Sequence, residues 1–245
     1  MIILKASNLV KAYSGRTVVK GVSYHVRQGE IVGLLGRNGA GKTTSFRMTI
    51  GMVDPDDGQV VFEGHDVTRL PMYKRARLGM GYLSQEPSVF QRLTVEQNLK
   101  AILETRPLSR KQQRATAERL MQQFDMVKLR KQQARTLSGG ERRKLEIARA
   151  LITEPSLVLL DEPFSGVDPV AVEELQEEIR RLRDQQNIAV LITDHNVERT
   201  LEVCDRAYII HEGEKLREGP PRDLINDDLV KRVYLGSTFR GDEFG

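Results

Sequence analysis

Residues Gly36–Thr43 read GRNGAGKT and fit the pattern G-x-x-x-x-G-K-[ST]. Glycines in such a loop leave room for backbone N–H groups to wrap an anion, and the lysine reaches the terminal phosphates of a nucleotide. The apolar run Ile31–Leu35 before the loop is typical of a buried strand, and Thr43–Ile50 after it predicts the helix that the loop opens. Strand, loop and helix together indicate a nucleotide site.

The loop predicts a role for each of its polar groups. Lys42 supplies a positive charge to the β- and γ-phosphates and counts among the catalytic groups, and the Thr43 hydroxyl is placed to coordinate Mg²⁺. The nucleotide-binding residues predicted here are Gly36, Arg37, Asn38, Gly39, Ala40, Gly41, Lys42, Thr43 and Thr44.

A second glycine signature, LSGGE at Leu137–Glu141, lies far downstream. Ser138 is suited to cap a helix over Gly139–Leu151. Between the two signatures the composition changes: Gln, Arg, Leu and Met dominate, and Leu120, Met121 and Phe124 recur at helical spacing. We expect a helical subdomain over about residues 86–155.

Two acidic residues follow the apolar run Leu157–Leu160. A carboxylate at the end of a buried strand is costly unless it faces a cation, so Asp161 is expected to hold Mg²⁺ through water. The side chain of Glu162 points the other way, which makes Glu162 the candidate general base for an attacking water.

Two more polar residues are expected at the same edge. His195 comes just past the strand Ile188–Thr193, at the carboxyl end where parallel sheets bind ligands, and is interpreted as a γ-phosphate contact or as an orienter of water. Gln85 falls where the core gives way to the helical region, and a glutamine there can touch both Mg²⁺ and the water.

Two weaker candidates complete the predicted site. Tyr13, expected in a loop ahead of the nucleotide strand, is placed to stack on adenine, a surface or core tyrosine being the alternative. Asp168, in the stretch Ser165–Asp168, is placed to bridge two subunits across shared sites.

Strands that alternate with helices argue for a mostly parallel α/β sheet in one domain spanning 1–245. We place its core at about 1–85 and 156–220, with short helices and a polar tail over 221–245. Within these bounds we expect helices over Val170–Gln186, Val197–Val203, Arg222–Ile225 and Leu229–Leu235, and a hairpin around Glu212–Gly213.

Composition excludes several classes of protein. The longest apolar runs are far shorter than the roughly 18 residues that a membrane span needs, and we expect no signal peptide. The one cysteine permits no internal disulfide and fits a reducing compartment. The net charge of +4 is compatible with nucleic acid or an anionic membrane, but Lys and Arg are spread over the chain without a long basic block.

With these motifs in this order, the chain resembles the nucleotide-binding subunits of ABC transporters along essentially its whole length. Within that family the resemblance is to ATPases of lipopolysaccharide export. The stretches that carry it are Ile31–Thr49, Gly81–Asn98, Leu137–Pro169, Val190–Leu201 and, outside every ATPase motif, Val230–Gly236. Arg37, Ser84 and Ser165 depart from the usual family residues, but none of these changes removes a catalytic group.

The resemblance implies a P-loop NTPase fold of ABC type, with an antiparallel β subdomain and a helical subdomain. It also implies a head-to-tail homodimer with two ATP molecules and Mg²⁺, in which Ser138, Gly139 and Gly140 of one subunit complete the phosphate loop of the other. A groove near Glu86, Phe90 and Arg92 would receive two transmembrane permease subunits. The protein would lie on the cytoplasmic face of the inner membrane and handle lipopolysaccharide only indirectly.

Two other functions stay open at this point. One is the ATPase of a branched-chain amino acid importer, which has a similar length and helical region. The other is an ABC ATPase that acts on DNA or ribosomes, although the single set of motifs and the lack of a long heptad run argue against it.

Overall fold

A computed structural model describes residues 1–235, and the predicted polar tail Ser237–Gly245 lies outside the described residues. The strands are β1 (Ile2–Tyr13), β2 (Arg16–Arg27), β3 (Ile31–Leu35), β4 (Asp57–Phe62), β5 (His65–Asp66), β6 (Met80–Leu83), β7 (Leu157–Asp161), β8 (Ala189–Thr193), β9 (Arg206–His211) and β10 (Glu214–Gly219). The helices are α1 (Lys42–Ile50), α2 (Met72–Arg77), α3 (Val95–Leu103), α4 (Arg110–Gln123), α5 (Gly139–Leu151), α6 (Pro169–Gln186), α7 (Val197–Leu201), α8 (Pro221–Asn226) and α9 (Asp228–Val230).

The central sheet confirms the predicted parallel α/β architecture. Its strands lie in the order β10-β9-β3-β8-β7-β6. All neighbours from β9 to β6 are parallel, and only the hairpin strand β10 runs antiparallel. Because the carboxyl ends of the parallel strands meet at one edge, the loops after β3, β7 and β8 are brought together there.

A second sheet of four antiparallel strands, in the order β2-β1-β4-β5, covers one face of the central sheet. Tyr13 was expected in a loop, but it is the last residue of β1 and pairs with Arg16 of β2. The hairpin is tight because Ser14 and Gly15 both take positive φ, which lets the strands continue to the turn itself.

Alternate residues of the central strands pack against different layers, as expected for a sheet buried on both faces. Val158 and Leu160 of β7 lie in the core shared with the helical region. Leu157 and Leu159 of the same strand lie in the core shared with the antiparallel sheet. Every residue of β7 is buried, which explains why its sequence is uninterrupted apolar up to Asp161.

The helices α3, α4 and α5, which lie between β6 and β7 in the chain, begin at strong capping signals. Thr94, Ser109 and Ser138 each accept a bond from the third residue of the following helix in a reciprocal capping box. The predicted apolar face of α4 is confirmed, since Leu120 and Met121 are buried together with Phe124 at its end.

Two helix predictions near the C-terminus differ from the structure. The helix after His195 ends at Leu201, two residues earlier than predicted. The helix predicted over Leu229–Leu235 is the short α9 followed by a π-helical turn, Lys231–Leu235, whose Tyr234 and Leu235 pack against the cluster around Leu35. No helix among residues 1–235 is long and apolar enough to cross a membrane.

Candidate functional site

Backbone crowding dictates glycine at two positions of the phosphate loop. A side chain at Gly36 would collide with the carbonyl oxygen of Ile210, and one at Gly41 would come within 2.6 Å of the carbonyl oxygen of Val18. Gly41 also takes φ 98°, a left-handed conformation that favours glycine, and it is the N-cap of α1. Strands β2 and β9 therefore support the loop from behind.

Lys42 is a buried cation at the first turn of α1, only 4% exposed. Burial lowers the pKa of its ammonium, while the carboxylates of Glu162, Asp194 and Asp161 oppose that shift. None of these carboxylates forms an ion pair with Lys42 within the described residues. A buried cation at a glycine loop, at the start of a helix, is suited to an anionic ligand.

Asp161 ends β7 and is close enough to Lys42 for its charge to act on that ammonium. Its carboxylate is buried and accepts a 3.4 Å hydrogen bond from the hydroxyl of Tyr82 on the adjacent strand β6. Burial raises the pKa of Asp161, and Arg47 of α1 opposes the rise. Burial also raises the pKa of the Tyr82 hydroxyl, to about 12.

Glu162 meets the two other predicted catalytic side chains. Its Oε2 accepts a 2.9 Å hydrogen bond from Nε2 of Gln85 and lies 3.3 Å from Nδ1 of His195. This arrangement follows from the parallel pairing of β7 with β8 and of β7 with β6. The structure thus brings together three residues that are distant in sequence.

Asp194 belongs to the same cluster and was not singled out from the sequence. Its side chain is fully buried and accepts hydrogen bonds from the backbone N–H groups of Phe164 and Asn196. A carboxylate directly after the apolar run Ile188–Thr193 was the available signal, the same one that identified Asp161.

The predicted nucleotide-binding residues fall in separate clefts of one chain. Arg37, Asn38, Gly39 and Ala40 line a cleft of about 430 Å³ together with Arg16 and Lys20 at the start of β2 and with His211. Tyr13 is half exposed next to Arg16 and is not part of the lining of this cleft.

Another cleft, of about 340 Å³, contains Ser138, Gly140 and Asp168. Gln85, Gly139 and Glu162 line a third cleft of about 120 Å³. The second glycine signature and Asp168 therefore lie close to each other. Among the described residues, the cleft that contains Ser138, Gly140 and Asp168 is separate from the one lined by Arg37, Asn38, Gly39 and Ala40.

The segment after Gln85 is anchored to the helical region. Arg149 of α5 stacks its guanidinium 4.6 Å from the ring centroid of Phe90 and donates to the carbonyl oxygen of Ser88. Asn98 of α3 holds the backbone of Phe90 through both its amide oxygen and its amide nitrogen. Phe90 nevertheless stays 45% exposed, so an apolar ring is presented at the surface from a rigid support.

The fold and the site define a class of protein. The family model described as "ABC transporter" matches residues 19–165, more than half of the chain. An ATP-binding cassette known as MJ1267, in its ADP conformation, superimposes with a TM-score of 0.86 at 28% identity, covering 97% of this chain and 100% of that one. The chain belongs to the ABC transporter family and is an ATP-hydrolysing, ATP-binding subunit of it.

Particular relatives are similar over nearly the whole length. The lipopolysaccharide export system ATP-binding protein LptB of Haemophilus influenzae is 52% identical over 241 residues, which cover 98% of this chain and all of that protein. The protein of the same name from Acidithiobacillus ferridurans is 50% identical over 238 residues, or 97% of this chain and 98% of that protein.

Proposed function

We propose that this chain is the ATPase of a lipopolysaccharide exporter, and that ATP binding and hydrolysis drive extraction of lipopolysaccharide from the inner membrane for transport to the outer membrane. The observation that carries the proposal is the identity of 50–52% to LptB proteins over nearly all of both chains. It favours this function over the amino acid importer and over an ATPase acting on nucleic acid or ribosomes.

ATP would bind with its phosphates against the glycine loop. The buried ammonium of Lys42 and the N-terminus of α1 supply the positive field that a triphosphate requires. The nucleoside would extend into the cleft lined by Arg16, Lys20 and Arg37, with Tyr13 at its margin. Asn38 and Thr44 remain proposed contacts to the phosphates.

The residues at the mouth of the loop suit a magnesium ion. The Thr43 hydroxyl, the amide oxygen of Gln85 and the carboxylate of Asp161 are oxygen donors of the kind that Mg²⁺ prefers. Gln85 uses its amide nitrogen to bind Glu162, which leaves its oxygen for the ion. When bound, Mg²⁺ supplies charge neutralisation on the β- and γ-phosphates.

Glu162 is the proposed general base. It accepts a proton from a water that attacks the γ-phosphorus, and the bond to the bridging oxygen breaks to release ADP and phosphate. His195 has Nδ1 beside Glu162, which leaves Nε2 to contact the γ-phosphate or to orient the water. Gln85 holds the carboxylate of Glu162 from the other side.

Two copies of the chain are proposed to complete each site. Ser138, Gly140 and Asp168 line one cleft and the phosphate loop lines another, which supports a site shared between two chains. A head-to-tail homodimer would place the helix start at Ser138 of one subunit against the γ-phosphate held by its partner.

The partners are proposed to be two transmembrane permeases that contact the surface around Glu86, Phe90 and Arg92. The exposed ring of Phe90, clamped by Arg149 and Asn98, is the anchor expected for a partner helix. The protein would thereby sit on the cytoplasmic face of the inner membrane and act on lipopolysaccharide through the permeases.

Affinity purification from membranes tests this function. We expect two membrane-spanning permeases and bound lipopolysaccharide to copurify with the wild-type chain. Phe90→Ala should lose the permeases, because the anchor ring is removed, whereas Val127→Ala, which truncates another apolar side chain at 40% exposure, should retain them. Recovery of permeases from an amino acid importer, with no lipopolysaccharide, would contradict the proposal.

A further inference from the structure

We propose that Asp194 is a positioning residue that locks the catalytic base and the histidine into one arrangement by holding the backbone of both loops. The inference rests on the proposed function only in taking Glu162 and His195 as the groups that act on ATP.

One carboxylate joins two loops that are separate in sequence. Oδ2 of Asp194 accepts a 3.1 Å hydrogen bond from the backbone N–H of Phe164, two residues after Glu162. Oδ1 accepts a 2.8 Å hydrogen bond from the backbone N–H of Asn196, the residue after His195. Each loop leaves one of the adjacent strands β7 and β8, so the carboxylate fixes the distance between the loops just beyond the sheet.

The residue type matches this task. The Asp194 side chain is 0% exposed, and a buried carboxylate is tolerated only when its oxygens are bonded and a cation lies near. Both carboxylate oxygens accept a hydrogen bond from a backbone N–H group, and Lys42 is near enough for the charge of Asp194 to raise the pKa of its ammonium. Burial raises the pKa of Asp194, and the two N–H groups together with His195 oppose the rise.

The position of the His195 ring has to be fixed by hydrogen bonds in addition to packing. The His195 side chain is 52% exposed, so packing alone does not determine where the ring lies. Its Nδ1 is 3.3 Å from Oε2 of Glu162 and 3.4 Å from Oδ1 of Asp194. Asp194 therefore contacts the imidazole ring of His195 directly, and it also binds the backbone N–H of Asn196, the residue that follows His195.

The test is Asp194→Asn, with Asp205→Asn as the matched control. Asparagine keeps the shape but turns one acceptor oxygen into a donor that faces an N–H group, so one loop is released. Asp205 also accepts a backbone N–H, that of Ile31, but at the opposite end of the sheet. We expect Asp194→Asn to lower kcat about ten- to a hundredfold, as a displaced catalytic group does, and Asp205→Asn to leave kcat within about twofold.

Measuring the ATP affinity of Asp194→Asn distinguishes a positioning role of Asp194 from a general structural role. Removing a negative charge near Lys42 should leave ATP affinity unchanged or tighter, so the loss should fall on kcat alone. The effects of Asp194→Asn and His195→Ala should also be less than additive, because both disturb the same group. Equal weakening of binding and turnover, or strict additivity, would overturn the proposal.

Failure of this inference is distinguishable from failure of the proposed function. If Asp194→Asn keeps wild-type kcat while Glu162→Gln abolishes it, Asp194 has no positioning role and the ATPase mechanism stands. If Asp194→Asn does not fold, amide hydrogen exchange in the wild-type protein decides. The N–H groups of Phe164 and Asn196 should be protected, and free exchange of either would contradict the lock.

Discussion

At the scale of single residues, the proposed catalytic base has an unusual backbone conformation. Glu162 takes φ 46°, in the left-handed region that a non-glycine residue enters at a cost of about 1–3 kcal/mol. Its N–H donates a 2.7 Å hydrogen bond to the carbonyl oxygen of Thr193 on the neighbouring strand. The turn directs the Glu162 side chain toward Gln85 and His195, so the strain is compensated by contacts of the site.

We expect Glu162→Gln to lower the rate of phosphate release about 10²–10⁴-fold, because glutamine cannot accept the proton of the attacking water. ATP should still bind, since Glu162 is not part of the phosphate loop, and an ATP-bound dimer should accumulate. Phosphate release and gel filtration in the presence of ATP measure both effects. Glu154→Gln is the matched control, because Glu154 also takes a positive φ, 50°, but precedes β7 and so lies at the end of that strand opposite Glu162. Unchanged turnover in Glu162→Gln would remove Glu162 from its role.

At the scale of secondary-structure elements, the C-terminal end of the phosphate-loop helix is held by a buried arginine. Arg75 is fully buried, and its Nη1 donates to the carbonyl oxygens of Met48 and Thr49 at the end of α1. Its other nitrogens donate to the carbonyl oxygens of Leu70 and Thr68. Burial lowers the pKa of Arg75 to about 10. The guanidinium caps the negative end of the helix dipole and ties α1 to the chain that leads into α2.

Arg75→Met should lower the free energy of unfolding by about 3–5 kcal/mol, since four buried carbonyl oxygens lose a charged donor. Urea unfolding measures the change. Arg77→Met, the same substitution at an exposed position two residues away, should cost less than about 1 kcal/mol. If the two variants lost similar free energies of unfolding, the buried hydrogen bonds of Arg75 would not be the source of the stabilisation.

The short strand β5 predicts a pH dependence of stability, through Asp66. Asp66 accepts hydrogen bonds from the side chain and backbone N–H of Thr68 and from Gln59, which lower its pKa to about 2. Because the folded pKa lies below the unfolded value of about 3.9, the contribution to stability is present above that value and is lost as the pH falls toward 2. The stability difference between wild type and Asp66→Asn should therefore shrink between pH 4 and pH 2, as followed by urea unfolding. A constant difference over that range would contradict the assignment.

The elements differ in how far local sequence predicts them. The strand before the phosphate loop and helix α5 are specified locally, by an apolar run that ends at glycine and by the capping box of Ser138. The π-helical turn Lys231–Leu235 was predicted as part of an ordinary helix, because its sequence pattern is helical. Tyr234 of this turn packs against the cluster around Leu35, a contact that the local pattern does not predict.

At the scale of the whole molecule, the proposed dimer makes a prediction about mixed subunits. Lys42→Ala destroys the phosphate-binding half of a site, and Ser138→Arg destroys the half contributed by the partner. In a mixture, half of the dimers contain one subunit of each kind, and each of these retains one intact site. We expect about a quarter of wild-type ATPase activity from an equal mixture if pairing is random and the sites are independent, although each variant alone is inactive. No recovery on mixing would count against shared sites.

The sequence by itself determined the class of fold and predicted the chemistry of the site. The glycine loop, the signature at Leu137–Glu141 and the acidic end of β7 are local patterns, because phosphate binding and helix capping depend on neighbouring residues. Only the tertiary structure decided which groups meet. The pairing of β6, β7 and β8 sets Gln85, Glu162 and His195 side by side, and it turns Asp194 inward to bond both loops. Those contacts join residues from separate parts of the chain. The order of the strands in the sheet brings these residues together, and no local sequence pattern encodes that order.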